Sequence, residues 1–363
     1  MAPLALRLQS EFRLIVSTGN FGPANRRQNL DHLDVQAVPR GVFSQLRVYL
    51  SAAVMLGWAM QPTLLVLAAG MGSRYGGLKQ IDPVGPSGET VLDYAVFDAV
   101  RAGFMRVVFV IREEFAELFK AQVAAKYAGH IAVDYVFQSL GALPEGFTVP
   151  AGREKPWGTG HAVWCARAVL GGNFAVINAD DFYGADSFAQ LGGFLVASPS
   201  GYDPMSGHRP PKTTLAEFAM VGFRLDRTLS EHGAVSRGVC TVKFGQLNGI
   251  VEQTGILPAE VGAGKKFTGD ETVSMNCWGF TPAVLAGLDE QFREFLSARG
   301  HEPKAEFYLP AAVAGMVARA QATVRVLPTA STWFGVTYRE DKPRVQAAIA
   351  ELVASGAYPA RLF

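Results

Sequence analysis

The sequence predicts an α/β fold: a doubly wound, mostly parallel, Rossmann-like sheet with an inserted or adjacent α+β region. Three observations carry that prediction. Apolar runs short enough for buried strands alternate with segments whose apolar residues recur at helical spacing. The first such run, 63–67, ends in a corner of small residues and glycines, Ala68-Ala69-Gly70-Met71-Gly72. Beyond residue 225 the rhythm changes to strands joined by turns.

Each element follows from its own pattern. Residues 63–67 and 106–111 are continuous and rich in Val, Leu and Ile, as expected of parallel strands buried on both faces. Between them, Leu92, Ala95, Val96, Ala99 and Val100 mark a helix over 91–102, with Gly103 as its C-terminal cap. A helix over 113–127, a strand over 131–137, a helix over 159–170 and a strand over 174–177 continue the alternation. The stretch 139–157 is rich in Gly, Pro and charge and long for a loop, which predicts a lid or an edge excursion. Strands then follow over 215–225, 238–244, 272–280 and 324–327, with helices over 284–296, 305–317 and 342–355.

Bulk properties exclude several function classes. A chain of 363 residues buries a sizeable core. Its net charge of +1 carries no nucleic-acid footprint. No apolar run reaches the length of a membrane span. Three cysteines, Cys165, Cys240 and Cys277, are too few and too scattered for a disulfide framework, so a reducing, cytoplasmic compartment is expected. Residues 1–59 form an atypical extension without lysine and with few acidic residues. A targeting peptide, a small subdomain and a start assigned too early, with the working protein beginning near Met55 or Met60, compete there; the last is the expectation adopted. The domain expected is then 60–363, with halves at 60–200 and 201–363.

The Gly-rich corner carries the chemistry. Glycines let backbone N–H groups approach an anion, and Arg74 and Lys79 follow to neutralise it, so the segment reads as a phosphate cradle on a strand end. A dinucleotide fingerprint would need a helix opening on the glycines, which Pro83, Gly85, Pro86 and Gly88 forbid. A P-loop lacks its Gly-Lys-Ser/Thr. Further on, the strand Phe174-Ala175-Val176-Ile177-Asn178 ends in Asp180 and Asp181, whose side chains should point apart and serve different ends. One carboxylate there suits a hard cation completed by substrate phosphates; a turn or cap role competes, chiefly for Asp181.

Leu67-Ala68-Ala69-Gly70-Met71-Gly72-Ser73-Arg74 with Lys79 resembles the signature of the sugar-phosphate nucleotidyltransferase superfamily, and the resemblance covers 63 to the end of the chain. It implies Mg²⁺-dependent transfer of a nucleotidyl group from a nucleoside triphosphate to a sugar 1-phosphate, releasing pyrophosphate. It implies a catalytic set of Arg74, Lys79 and Asp180, with Asp180 on the metal. Leu67, Ala68, Ala69, Gly70, Gly72 and Ser73 would bind the nucleotide. Trp157-Gly158-Thr159-Gly160-His161-Ala162 resembles the family's G-T-[AG]-x-A motif, so Gly158 and Thr159 would lie against the base, and Gln138 would read it. An amide offers both a donor and an acceptor for that task. His161 is read as a packing or capping residue, because the reaction needs no base. The α+β half would bind the acceptor through Asp181, Gly222, Glu252 and Asn276.

Two positions depart from the family pattern. Gln253 stands where the family carries a lysine after the glutamate matched by Glu252. Gly335, in Thr332-Trp333-Phe334-Gly335, stands where many members carry a second metal aspartate. Asp341 is a weak substitute for that aspartate and Lys342 for the cation, while capping of the last helix competes for Glu340 and Asp341. These departures indicate a divergent branch and keep two further readings alive. One is a cytidylyltransferase acting on phosphocholine or another small phosphate. The other is a non-catalytic regulator that binds a nucleotide or nucleotide-sugar. The partners expected are a nucleoside triphosphate and a small phosphate acceptor, with no nucleic acid and no membrane; a homo-oligomer is left open.

Overall fold

The strand that precedes the Gly-rich corner, β1 (Thr63–Leu67), lies in the interior of the sheet and has its central residues buried on both faces. The computed structural model describes residues 61–70, 82–198, 215–335 and 339–363, and the readings made for 1–59, Gly72, Ser73, Arg74 and Lys79 fall outside them. β1 pairs in parallel with β2 (Arg106–Ile111) on one side and with β4 (Phe174–Asn178) on the other, and β2 pairs in parallel with β3 (Ala132–Phe137). The remaining strands of the main sheet are β6 (Ala216–Arg224), β7 (Val235–Lys243), β8 (Gln246–Ile256), β9 (Thr272–Phe280) and β10 (Ala322–Pro328). The nine-stranded order is β3-β2-β1-β4-β9-β6-β10-β8-β7. β6 and β10 are parallel, but β9 joins β4, β6 and β7 antiparallel, and β8 joins β7 and β10 antiparallel. The mostly parallel character expected of the sheet therefore holds for its first four strands and not for the rest.

Helices cover both faces, as strands with alternate residues buried on opposite sides require. Leu64 and Val66 share a core with Leu92 and Val96 of α1 (Val91–Arg101) and Phe188 and Leu191 of α4 (Ala185–Ala197). Leu65 and Val176 face the other way. They share a core with Trp164 of α3 (Thr159–Cys165), Phe292 of α5 (Val284–Arg299) and Val313 of α6 (Leu309–Ala318). Burying one such large apolar side chain contributes about 1.5–3 kcal/mol. Because β9 and α5 belong to the second half but pack on β4 and α3, the halves expected at 60–200 and 201–363 share one sheet and one core.

Local chemistry fixes the element ends. Thr90 Oγ1 accepts from Asp93 N, and Asp93 Oδ2 accepts from Thr90 N at 2.7 Å, which makes a capping box at the start of α1. Gly103, at φ +90°, follows its end, and Phe104 N closes back to Ala99 O. The helix expected over 113–127 is instead a 3-10 turn, the short helix α2 (Ala116–Gln122) and a second 3-10 turn. Its spacing still places Phe119, Val123 and Tyr127 in the core. The 82–89 segment is a turn, with Val84 N and Gly85 N both donating to Glu89 O. Residues 139–157 are tied down: the Arg153 guanidinium donates to Glu302 O at 2.9 Å and Ala305 O at 2.6 Å and stacks on Trp157. That anchoring makes the segment an excursion fixed to the α5–α6 connection rather than a lid.

A two-stranded ribbon completes the fold. β5 (Asp181–Phe182) pairs antiparallel with β11 (Phe334–Gly335), and the rings of Phe182 and Phe334 stack at 4.2 Å. The C-terminal helix α7 (Lys342–Ala354) packs Val345 and Ile349 beside this pair, and Tyr358 OH donates to Asp98 Oδ2 at 2.5 Å on α1. Among the described residues no helix is long and apolar enough to cross a membrane.

Candidate active site

The parallel register of β1 and β4 sets Leu67 opposite Asn178, so both strands release their loops at the same edge of the sheet. Here the chain order reverses, since β1 has β2 on one side and β4 on the other. Such a switch point leaves a crevice beyond the strand ends. Ala68 N donates to Val110 O at 2.8 Å and Ala179 N to Leu67 O at 3.2 Å, which fixes the departure of both loops. Ala68 and Ala69 are buried, and a Cβ built at Gly70 would meet no described residue within 4 Å.

Asp180 and Asp181 differ in exposure, as adjacent residues at a strand end should. Asp180 is half-buried, whereas Asp181 is buried beneath β11. Asp181 Oδ2 accepts from Asn178 Nδ2 at 2.9 Å and lies 3.1 Å from Tyr183 OH. Burial, and then the Asp180 carboxylate, push the Asp181 pKa well above the usual carboxylate range, with Asn178, Arg237 and Tyr183 opposing. A Cβ at Gly335 would fall 2.6 Å from Asp181 Oδ1. The space that a side chain at 335 would take already holds the Asp181 carboxylate. Asp181, expected at the acceptor, is buried and held by Asn178 and Tyr183.

At the outer end of the crevice, Gln138 follows β3 and is held by Gln138 N donating to Ile111 O. Its Nε2 donates to Gly158 O at 3.0 Å and lies 3.1 Å from His161 Nδ1. Gly158 precedes α3 at φ +99°, and a Cβ there would strike Phe307 O at 2.7 Å, so only glycine fits. Thr159 Oγ1 accepts from Leu309 N at 3.0 Å, which commits that hydroxyl to joining α3 to α6. His161 is fully buried, and burial lowers its pKa to about 4, so it is neutral at pH 7.

Gly222, Glu252 and Asn276, expected on the acceptor side, have distinct surroundings. A Cβ at Gly222 would meet Thr272 and Val326 side chains under 3 Å away, so packing between strands requires this glycine. Glu252 is exposed on β8, yet the protein atoms around its carboxyl raise its pKa and Arg237 opposes the rise. Asn276 has φ +57° where the β6–β9 register shifts, and its Nδ2 lies 3.5 Å from Asn178 Oδ1. Its buried Oδ1 has no hydrogen-bond partner among the described residues. A strained asparagine with an unpaired buried oxygen is the kind of position kept for a ligand.

Arg237 is the residue that sequence reasoning missed. It stands directly across from Gln253 in the β7–β8 ladder, buried, with its guanidinium 4.9 Å over the Trp333 ring. It donates to Thr228 O and Ser236 O; burial lowers its pKa to about 10, while Asp181 and Glu252 hold it up. Only the hairpin register could have revealed it. The two suggested substitutes each have a partner among the described residues. Lys342 Nζ is ion-paired with Asp82 Oδ1 at 2.5 Å. Asp341 is buried at the start of α7, accepts from Ser230 Oγ at 3.0 Å, and makes no side-chain cap there. Among the described residues no three acidic, His or Cys side chains converge as a metal cage, so Asp341 does not join Asp180 and Asp181 in one.

Comparison with solved structures places this architecture. A putative glucose-1-phosphate thymidylyltransferase from Bacillus anthracis, solved with sucrose, superposes with a TM-score of 0.51 at 12% identity, covering 79% of this chain and 94% of that one. The chain shares the fold of the sugar-phosphate nucleotidyltransferases. A UDP-glucose pyrophosphorylase solved with UDP-glucose aligns with a TM-score of 0.48 at 16% identity, over 80% of this chain and 99% of that one. No family model matches the chain, and no curated protein matches it in sequence.

Proposed function

We propose that this protein is a nucleotidyltransferase that joins the nucleotidyl group of a nucleoside triphosphate to a sugar 1-phosphate and releases pyrophosphate. The observation that carries the reading is the pairing of β1 with β4, which brings Ala68, Ala69 and Gly70, the described start of the Gly-rich corner, and Asp180 to one edge of the sheet at the switch point. The order β3-β2-β1-β4 with helices on both faces supports a doubly wound nucleotide-binding half.

A phosphate monoester has its second pKa at ~6, so the nucleophile is already anionic at neutral pH and needs no general base. Buried, neutral His161 agrees with that. Catalysis then reduces to positioning and charge neutralisation around an in-line displacement at the α-phosphorus. In this reading Arg74 grips the β- and γ-phosphates through its planar fork, and Lys79 bridges the α-phosphate and the incoming phosphate. Mg²⁺ is ordinarily held by one or two carboxylates plus substrate phosphates, and the half-buried Asp180 fits that donor set as a single carboxylate. When bound, the metal would stabilise the charge that develops on the phosphates. Arg237 supplies the positive charge that Gln253 lacks, from the opposite strand of the same hairpin.

The test is pyrophosphate release by the full chain with Mg²⁺, crossing each nucleoside triphosphate with a panel of sugar 1-phosphates and with phosphocholine. Release that requires one particular pair, and is lost in Asp180→Ala, is the expected result. Binding of a nucleotide without release from any pair would replace this reading with that of a nucleotide-binding regulator.

A further inference from the structure

His161 and Gln138 form a closed hydrogen-bond set whose polarity two carbonyl groups decide. Ala142 O lies 2.7 Å from His161 Nε2, and a carbonyl only accepts, so Nε2 carries the imidazole proton. Gly158 O lies 3.0 Å from the terminal atom of Gln138, so that atom is the amide nitrogen and not the oxygen. His161 Nδ1, left unprotonated, accepts the second amide proton at 3.1 Å. Both N–H groups of Gln138 are thereby used inside the protein, and a flip of the amide would set its oxygen against Gly158 O and Nδ1. Cys165 Sγ sits 3.3 Å from Nε2 and does not alter this order.

We propose that His161 is a positioning residue for base recognition: it takes the last free proton of the Gln138 amide, so that Gln138 presents only its Oε1 to the nucleotide. The sequence suggested a side chain offering a donor and an acceptor; the structure leaves the acceptor alone. The base that binds must then direct an N–H at Gln138. This deepens the nucleotidyltransferase reading and rests on its nucleotide site.

The test is equilibrium binding, so it does not require turnover. Calorimetry on the full chain with ATP, CTP, GTP, UTP and dTTP identifies the tightest ligand. That ligand is then compared with its N-methylated analogue: N1-methyl for GTP, N3-methyl for UTP or dTTP, and the dimethylamino form for ATP or CTP. Wild type should bind the methylated form at least about tenfold more weakly, which is the scale of one hydrogen bond. The penalty should vanish in Gln138→Ala. It should shrink in His161→Leu, which fills the site without an acceptor, and return in His161→Asn, whose Oδ1 restores one near the Nδ1 position. Circular dichroism confirms that each variant is folded. A folded His161→Leu protein with the full penalty would overturn the proposal, because a purely structural histidine would leave it unchanged. A wild type that binds both forms equally would also overturn it. Failure of all five nucleotides to bind would instead overturn the nucleotide site itself, and the proposal with it.

Discussion

The two halves of the sheet solve the same problem in opposite ways. Between β1 and β4, parallel strands buried on both faces aim loops at one edge, and the residues proposed for function lie in short linear motifs. In the β7–β8 hairpin, antiparallel strands leave more residues exposed, and residues meet through cross-strand register. Arg237 and Gln253 are neighbours in space and sixteen positions apart in the chain. A motif read along the chain registers a missing cation at 253, and the facing strand carries an arginine at 237. Asp181 and Gly335 repeat the lesson, since a carboxylate from β5 fills the space beside a glycine on β11.

The largest effect expected lies on the nucleotide side. Asp180→Ala should lower the turnover rate by about a thousandfold or more, the scale on which charge stabilisation acts, while leaving the melting temperature within a few degrees. A rate within tenfold of wild type would remove Asp180 from the metal. Gly158→Ala follows. It forces a side chain into φ +99° and against Phe307 O. Urea unfolding should then show a loss of about 2–4 kcal/mol.

Arg237 sharpens the contrast. Arg237→Gln should raise the KM for the phosphate acceptor by about tenfold and leave the KM for the nucleotide nearly unchanged. Equal shifts in both would show that Arg237 only holds the hairpin together through Thr228.

A pH experiment separates two buried groups of opposite sign. Asp98 has its pKa pushed up to about 7 by burial, against the opposing effects of Tyr358 and Arg101. Its contribution is fully present below the unfolded value of ~4 and is lost as pH rises through about 7. His161, lowered to about 4, contributes stability that is present above the unfolded value of ~6.5 and is lost as pH falls toward 4. Asp98→Asn should therefore raise stability at pH 8 by on the order of 1–3 kcal/mol and by much less at pH 4. An equal gain at both pH values would refute a raised Asp98. The smallest effect belongs to Lys342→Ala, which breaks the partly exposed ion pair with Asp82 and should cost under about 1 kcal/mol.

Legibility in the sequence follows the same division. β1 and β2 match the predicted spans residue for residue, because nearly uninterrupted apolar runs have one way to be buried on both faces. α4 escaped notice because Gly192 and Gly193 weaken its helical pattern. A Cβ at Gly192 would meet Ala102 O at 2.7 Å, so that glycine lets α4 approach α1. β8 escaped because polar residues and glycines interrupt its apolar pattern, and its strand character comes from pairing with β7. Gln138, Gly158 and Asp180 could be located in the sequence because they sit where elements end. The direction of the Gln138 amide, the burial of Asp181 and the place of Arg237 depend on partners distant in the chain.

The most direct test of the account follows the α-phosphate. The full chain is incubated with Mg²⁺, the best phosphate acceptor and the preferred nucleoside triphosphate labelled with ³²P at the α position, and the products are separated. The account predicts label in a diphosphate-linked nucleotide–acceptor conjugate, one pyrophosphate released per conjugate, and no conjugate with Asp180→Ala. Label that stays in the triphosphate, or appears only as free nucleoside monophosphate, while the protein binds the nucleotide, would contradict it.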